Sequence, residues 1–412
     1  MTKSKFKLKL WQRIIVGMIL GILVGALRVE IFDYEVASIV EPIGIIFSNM
    51  LKMIVVPLIF FAILYGITSI DDADTFNRLG GKAFIIYSIT TVFAVTIGIV
   101  FTLIFEPGVG VKITLHDLPR TQVTTSIRDM LLNIIPSNPI NAMVTTNTLQ
   151  VVVFAFFVGI SIILAGEKSK ELKMVIISAA QVMFKMVELV LRTAPYGVFA
   201  IMATVISKYG TDVLTSLMRF TAVVIAAFLL QYLLFGVMLM MAKIAPMSFY
   251  KKMLPVQALA FATSSSKATL PTAMQHLHKK MGVSKQSASF ILPLGASMNM
   301  SATAIYLGAT AIFFAQVMDI TLSIHDYFVV VLTSTIGSIG AAGFPGGGIV
   351  MMGIVLSSVG LPVEGISLIV GIDRILDMLR TLINITGDCA VTLIVDKIEG
   401  TFNEEVYKKT YE

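Results

Sequence analysis

From Ala83 to Phe105 the chain runs without one charged side chain, and the same holds from Ile14 to Leu27 and from Phe220 to Ala242. Segments this long and apolar are stable in the hydrocarbon of a bilayer, where about 20 apolar residues make one crossing. Inside lipid the backbone has no water to bond, so a crossing segment is a helix or belongs to a closed barrel. These runs are continuous and do not alternate, which selects helices. Composition agrees: 56% of residues are hydrophobic and 14% charged, against roughly 25% charged in a soluble domain. The one cysteine, Cys389, excludes a disulfide framework and a cysteine-rich metal centre. Part of the net charge of +6 precedes the first apolar run, in Lys3, Lys5, Lys7, Lys9 and Arg13. That pattern faces the cytoplasm and implies a lipid bilayer partner, not nucleic acid.

Crossing helices are expected over 12–29, 42–70, 82–105, 145–165, 171–206, 213–244, 286–317 and 362–395. These make eight spans, with both termini cytoplasmic and the chain multi-pass in a cell inner membrane. No small-x-small cleavage site follows the first run, so it reads as a span and not as a leader. Residues 106–130 turn polar and form a loop between two halves. The tail from Asp396 onward mixes charges and is expected to be exposed. Two further segments, 248–282 and 325–359, each carry an apolar arm, a helix-breaking centre and a second apolar arm. Neither is long enough to cross twice. They read as re-entrant hairpins, which lipid tolerates only where the broken backbone lines a cavity. Each precedes a long helix with a buried Asn, Asn299 or Asn384, a weak internal repeat of the sort that marks a transporter's binding site.

The last span holds the chemistry. Asp377, Arg380, Thr381, Asn384 and Asp388 fall in one stripe at about 100° per residue. Ionisable groups facing lipid are costly, so the stripe must face a polar interior. Arg380 offers a planar fork for a carboxylate, and Asp377, one turn away, can hold an ammonium. Together they suit a small acidic amino acid, unless Arg380 is only a structural partner of Asp377 or Asp373. Asp388 suits a hard monovalent cation. The tip Ser264-Ser265-Ser266 presents hydroxyls and amides at a helix start, an anion site. The stretch GSIGAAGFPGGG lacks the Lys-Ser/Thr of a phosphate loop, and reads as a mobile tip whose carbonyls approach a ligand. Tyr87, Thr90 and Thr91 share a face of the third span. No catalytic triad, cofactor motif or metal cluster is present in the sequence.

These motifs, SSSKATLP (264–271), NMSAT (299–303), SIGAAGFPGGG (338–348) and DMLRTLINITGD (377–388), resemble those of the glutamate/aspartate transporter family, the dicarboxylate/amino acid:cation symporters, in order and spacing over nearly the whole chain. The resemblance implies an all-α membrane protein with eight transmembrane helices, two re-entrant hairpins and inverted repeats, working as an elevator-type homotrimer. Residues 1–81 would hold scaffold spans 1–2, 82–105 span 3 of the transport unit, and 106–206 the loop and scaffold spans 4–5. The rest of the transport unit would be 207–396, and 397–412 a cytoplasmic tail. The implied substrate site comprises Ser266, Thr303, Asp377, Arg380, Thr381 and Asn384, closed by the tip from Gly343 to Gly348. One implied sodium site uses Gly295, Asn299, Asn384 and Asp388. A second uses Ser297, Met300, Ser338, Ile339 and Ala341. A third uses Tyr87, Thr90, Thr91, Asn299 and position 301. No cofactor is implied, and the coupling ion is H+ or Na+.

Three positions depart from the family pattern. Ser301 stands where the motif has Asp, so the third cation site is weakened. Leu307 stands where proton-coupled relatives keep a glutamate. Lys267 stands where relatives generally have Ser or another small residue, as a charge stand-in or a proton site. Asp373, Asp377 and Asp388 against Arg374 and Arg380 leave one net negative charge, which Lys267 cancels. The expected function is therefore symport of L-glutamate or L-aspartate, coupled to protons with sodium dispensable. The alternatives are sodium-coupled amino-acid or C4-dicarboxylate symport, or an uncoupled uniporter or channel. An aspartyl protease dyad of Asp377 and Asp388 is excluded, since eleven residues of helix separate them by about 16 Å.

Overall fold

Small residues decide how the first helices pack. In α1 (Leu10–Ile31), Gly17, Gly21 and Gly25 recur every fourth residue and fall on one face. That face lies backbone to backbone on α6 (Lys170–Tyr209). A Cβ built on Gly17 would lie 2.3 Å from the Pro195 carbonyl oxygen, and one on Gly21 2.4 Å from that of Phe199. Lipid supplies no hydrophobic drive between helices, so close dispersion contact of this kind holds them together. Around this pair pack α2 (Glu35–Thr68) and α5 (Thr148–Ala165), with α4 (Pro139–Val144) leading into α5.

A second group packs around α14 (Ile366–Ile398). It contains α3 (Gly81–Phe105), α7 (Asp212–Met241), α8 (Pro246–Thr263), α9 (Ser266–Met281), α10 (Lys285–Met298) and α11 (Ser301–Val317). It also contains α12 (Ile324–Gly340) and α13 (Gly347–Ser358). A short α15 (Glu404–Lys408) is the last helix among the described residues. This computed structural model describes residues 10–31, 35–68, 79–110, 135–145, 148–209, 212–340 and 347–409. The described residues form helices and no strands. Among them, five stretches are long and apolar enough to cross a membrane: Gly81–Phe105, Val153–Ser207, Val213–Met241, Lys285–Val317 and Ile372–Ile398. Shorter apolar stretches occupy α1 and α2. Most of the polar loop expected at 106–130 lies outside the described residues.

Both interrupted segments are helix pairs: α8 packs against α9, and α12 against α13. Ser264 ends α8 in the left-handed region at φ 50°, and Ser265 is extended. The Ser265 hydroxyl then caps α9 by accepting the Ala268 N–H at 3.3 Å. A serine suits this position because its oxygen replaces a missing helix acceptor.

One expectation needs correction. The span over 286–317 is not one helix. It breaks after Met298, and Asn299 and Met300 take non-helical backbone angles before α11 starts. The Asn299 side chain is drawn to Asp388, and Asn384 takes the Ala302 N–H that the break leaves without a helix partner. The tail from Asp396 is largely exposed, as expected, but two buried residues, Asp396 and Tyr407, anchor it. Asp396 is buried, and its carboxylate accepts the Ser284 N–H at 3.0 Å and the Ser284 hydroxyl at 2.6 Å. Asn403 N–H donates to the Gly282 carbonyl at 2.8 Å, and the buried Tyr407 donates its hydroxyl to Ala245 at 2.7 Å. Most of the tail's charges stay solvated, while Asp396 holds Ser284, the residue that caps α10.

Gly21→Val should lower the unfolding free energy by about 1–3 kcal/mol, because α1 must lift off α6. Gly81→Ala, where no atom lies within 4 Å of the added Cβ, should not. Thermal unfolding in detergent checks the pair of variants.

Candidate functional site

The polar stripe of α14 is buried along its length: Asp373, Asp377, Arg380, Thr381, Asn384 and Asp388 are each at most 6% exposed. Arg380 is the hub. Its Nη1 donates to Asp373 and its Nη2 to Asp377, both at 2.9 Å. Arg374 reaches the other oxygen of Asp377 at 3.3 Å. Alternating charges on successive turns of one helix thus hold each other in an interior where a lone charge would be prohibitive. The Tyr306 ring of α11 lies 4.2 Å from the guanidinium carbon, a cation–π contact. From α13, Gly348 approaches the same group so closely that a Cβ there would sit 3.0 Å from it.

A second cluster lies about two turns farther along. Asn299 Nδ2 donates to Asp388 Oδ1 at 2.8 Å, and the Ser301 hydroxyl donates to Asn299 Oδ1 at 3.3 Å. Asp388 Oδ2 is buried and has no hydrogen-bond partner among the described residues. A Cβ on Gly295 would lie 2.5 Å from the Tyr87 hydroxyl and 2.6 Å from Asp388 Oδ1, so only glycine lets these groups converge. Between the clusters, Asn384 accepts the Ala302 N–H at 2.9 Å and donates to Met300 sulfur at 3.2 Å and Thr303 Oγ1 at 3.4 Å. A carboxylate oxygen without a donor, beside a broken backbone, has the chemistry of a monovalent cation or proton site.

With this geometry, the comparison with known proteins is decisive. The model of the Sodium:dicarboxylate symporter family matches residues 10–398. The chain belongs to the sodium:dicarboxylate symporter family. It is 34% identical to the proton/sodium-glutamate symport protein of Bacillus caldotenax, over 97% of this chain and 96% of that protein. It is 32% identical to the proton/glutamate-aspartate symporter of Escherichia coli K12, over 98% and 96%. It is also 32% identical to a C4-dicarboxylate transport protein of Rhodospirillum rubrum, over 98% and 91%. The family comprises transporters, so this symporter is a membrane transporter and not an enzyme.

The remaining expected site residues fall as follows. In the symporter Thr381 donates to the Asp377 carbonyl at 2.9 Å. Ser266 is buried in the first turn of α9, which packs on α14. Thr90 and Thr91 are buried near Tyr87, and the Thr90 hydroxyl bonds the carbonyls of Ile86 and Tyr87 in its own helix. Ser297 is half-buried at the end of α10. Ser338 is buried, and its hydroxyl donates to Thr335 at 2.7 Å within α12. Ile339 belongs to the last turn of α12, while Ala341 and Gly343 lie outside the described residues. Tyr306 was not anticipated from sequence. Its signal was a lone phenol three residues after Thr303, on the same face of an apolar helix.

Lys267 has the least expected surroundings. Its Nζ sits 4.6 Å from the centre of the Tyr65 ring of α2 and 5.6 Å from that of Phe184 of α6. These two rings meet edge to face at 6.1 Å. The ammonium therefore joins the α14 group to the α1/α2/α6 group through aromatic faces and, among the described residues, forms no ion pair with the carboxylates of α14.

Arg380→Ala should destabilise the protein by about 3–5 kcal/mol, because two buried carboxylates lose their cation. Adding Asp373→Asn and Asp377→Asn should recover part of that loss. Melting curves of the single and triple variants check this, and simple additivity would refute the pairing. Lys267→Gln should cost about 0.5–2 kcal/mol from the lost ring contacts and leave substrate affinity unchanged, as read by calorimetric titration.

Proposed function

We propose that this chain is a secondary symporter for L-glutamate or L-aspartate. The observation that carries the reading is the incomplete use of Arg380. Of its five N–H donors, one is committed to Asp373 and one to Asp377. The others remain for the side-chain carboxylate of a substrate, and Asp377 stands beside them for its ammonium. A C4-dicarboxylate would bring a second anion, and no amine, against Asp377. The activities of the relatives, glutamate and aspartate symport on one side and C4-dicarboxylate transport on the other, bracket the same chemistry.

In this reading Ser266, Thr303, Thr381 and Asn384 complete the substrate site, and the tip leading to Gly348 closes over it. The group of α1, α2, α5 and α6 is the scaffold of a homotrimer, against which the α14 group moves as an elevator. Both termini face the cytoplasm from an inner membrane. Asp388 takes the coupling cation. Ser301 supplies only a hydroxyl dipole where the family motif has a full charge, so the proton is the driving ion and sodium is dispensable. A second reading, sodium coupling, is favoured by the unpartnered Asp388 oxygen next to Asn299 and the broken backbone.

The test is uptake of labelled glutamate into proteoliposomes with sodium, proton and potassium gradients imposed one at a time. Concentrative uptake in sodium-free buffer under an inward proton gradient is expected. Strict sodium dependence selects the second reading, and accumulation with no gradient dependence sinks both. In competition, aspartate should outcompete succinate, and Arg380→Ala should weaken glutamate binding by about 1.5–3 kcal/mol. Equal competition by succinate would overturn the amino-acid assignment.

A further inference from the structure

Where the docked tail meets the base of the α8/α9 pair lies a half-open cavity of about 610 Å³. Its lining is cationic. Lys243, Lys251, Lys252, Lys280, Lys408 and Lys409 face one carboxylate, Glu404. Glu404 is already engaged by Lys408 at 3.0 Å. Lys252 is structural: its ammonium donates to the backbone carbonyls of Lys280 at 3.0 Å and Tyr407 at 2.5 Å and lies over the Tyr407 ring. Lys243, Lys251 and Lys409 are different. All three side chains are exposed and, among the described residues, their ammonium groups have no ion-pair or hydrogen-bond partner.

The cavity is far from neutral, and an exposed apolar stripe of α8 runs up to it. Met247, Lys251 and Leu254 follow each other at helical spacing on the exposed face of α8, with Met247 66% and Leu254 62% exposed. Phe261 continues the same stripe. Lys251 is thus a cation set into an apolar stripe, and it lines the cavity together with the other lysines. A dianionic or monoanionic phosphate fits the lysine set, and the apolar stripe fits what hangs below a lipid phosphate. We propose that this cavity is a binding site for a phosphate-bearing anion, occupied by the head group of an acidic phospholipid whose chains run along α8. The site lies apart from the α14 stripe and does not depend on which substrate that stripe carries. Because its wall includes Phe402, Tyr407 and Lys409, occupancy would also pin the tail to the α8/α9 pair.

Native mass spectrometry on the full chain in detergent tests this. The protein is titrated separately with phosphatidylglycerol, phosphatidylcholine, glycerol 3-phosphate and inorganic phosphate. Retention of phosphatidylglycerol should exceed that of phosphatidylcholine about tenfold. It should fall about tenfold or more in the Lys243→Gln/Lys251→Gln/Lys409→Gln variant, as expected for the loss of three surface cations. The Lys168→Gln/Lys170→Gln/Lys285→Gln variant, which removes as much charge outside the cavity, should bind like the parent. Since all six side chains are exposed, both variants should fold. Saturable glycerol 3-phosphate binding that the first variant alone loses, without lipid preference, supports the anion site with a soluble occupant. Equal retention of both lipids with no soluble phosphate bound, or equal loss in both variants, overturns the proposal.

Discussion

A guanidinium held between two carboxylates inside a membrane helix sets the terms for everything around it. Arg380 cannot face lipid, nor can Asp373 and Asp377, so α14 must be enclosed on its polar side. The enclosure comes from α7, α8, α10, α11 and α13. Each gives way to the stripe in its own manner. From α11 comes the flat face of Tyr306, from α13 the bare backbone of Gly348, and from α10 the unsubstituted Gly295 beside Asp388. Where they meet the charged stripe these neighbours are thus small or aromatic, while farther along Ile291 and Leu294 of α10 pack on Val391 and Val395 of α14.

Breaking a helix inside lipid is tolerable only if the freed groups find partners. At Asn299–Met300 the partners are side chains of α14: Asn384 takes the Ala302 N–H and Asp388 holds Asn299. The break and the stripe therefore stabilise one another, and the carboxylate that anchors the break keeps one oxygen uncommitted. At the Ser264–Ser265 turn the solution is local. A left-handed serine ends one helix and an extended serine caps the next.

How much of this was legible in the sequence follows from the kind of signal each feature leaves. The helices and the α14 stripe were readable because lipid forbids charge, so Asp377, Arg380 and Asp388 had to share an inward face. The pairing of Arg380 with both Asp373 and Asp377 follows from spacings of seven and three residues, which both return to that face. The break after Met298 left no such trace, since neither Gly nor Pro marks it and the flanks remain apolar. Its cause is tertiary, in the reach of Asn299 to a helix far along the chain. The docked tail was hidden for the opposite reason. Asp396 looks as solvated by type as the exposed Glu404 and Lys408, and only the Ser284 amide and hydroxyl reveal why it is inside. Lys267 belongs with them, because sequence spacing says nothing about two rings on other helices.

The three glycines of α1 carry a mechanical consequence. Where Gly17, Gly21 and Gly25 touch the carbonyls of α6, no side chain intervenes to be compressed or to swing aside. Sliding α1 along α6 by less than a full turn would drive Cα atoms into carbonyl oxygens, so the pair behaves as a single stiff strut. Between α6 and the α14 group the interlocking is looser and made by side chains, with a flexible lysine resting on two aromatic faces. Shear within the molecule would therefore be taken up along that seam, where a long side chain can trade one ring for another at little cost.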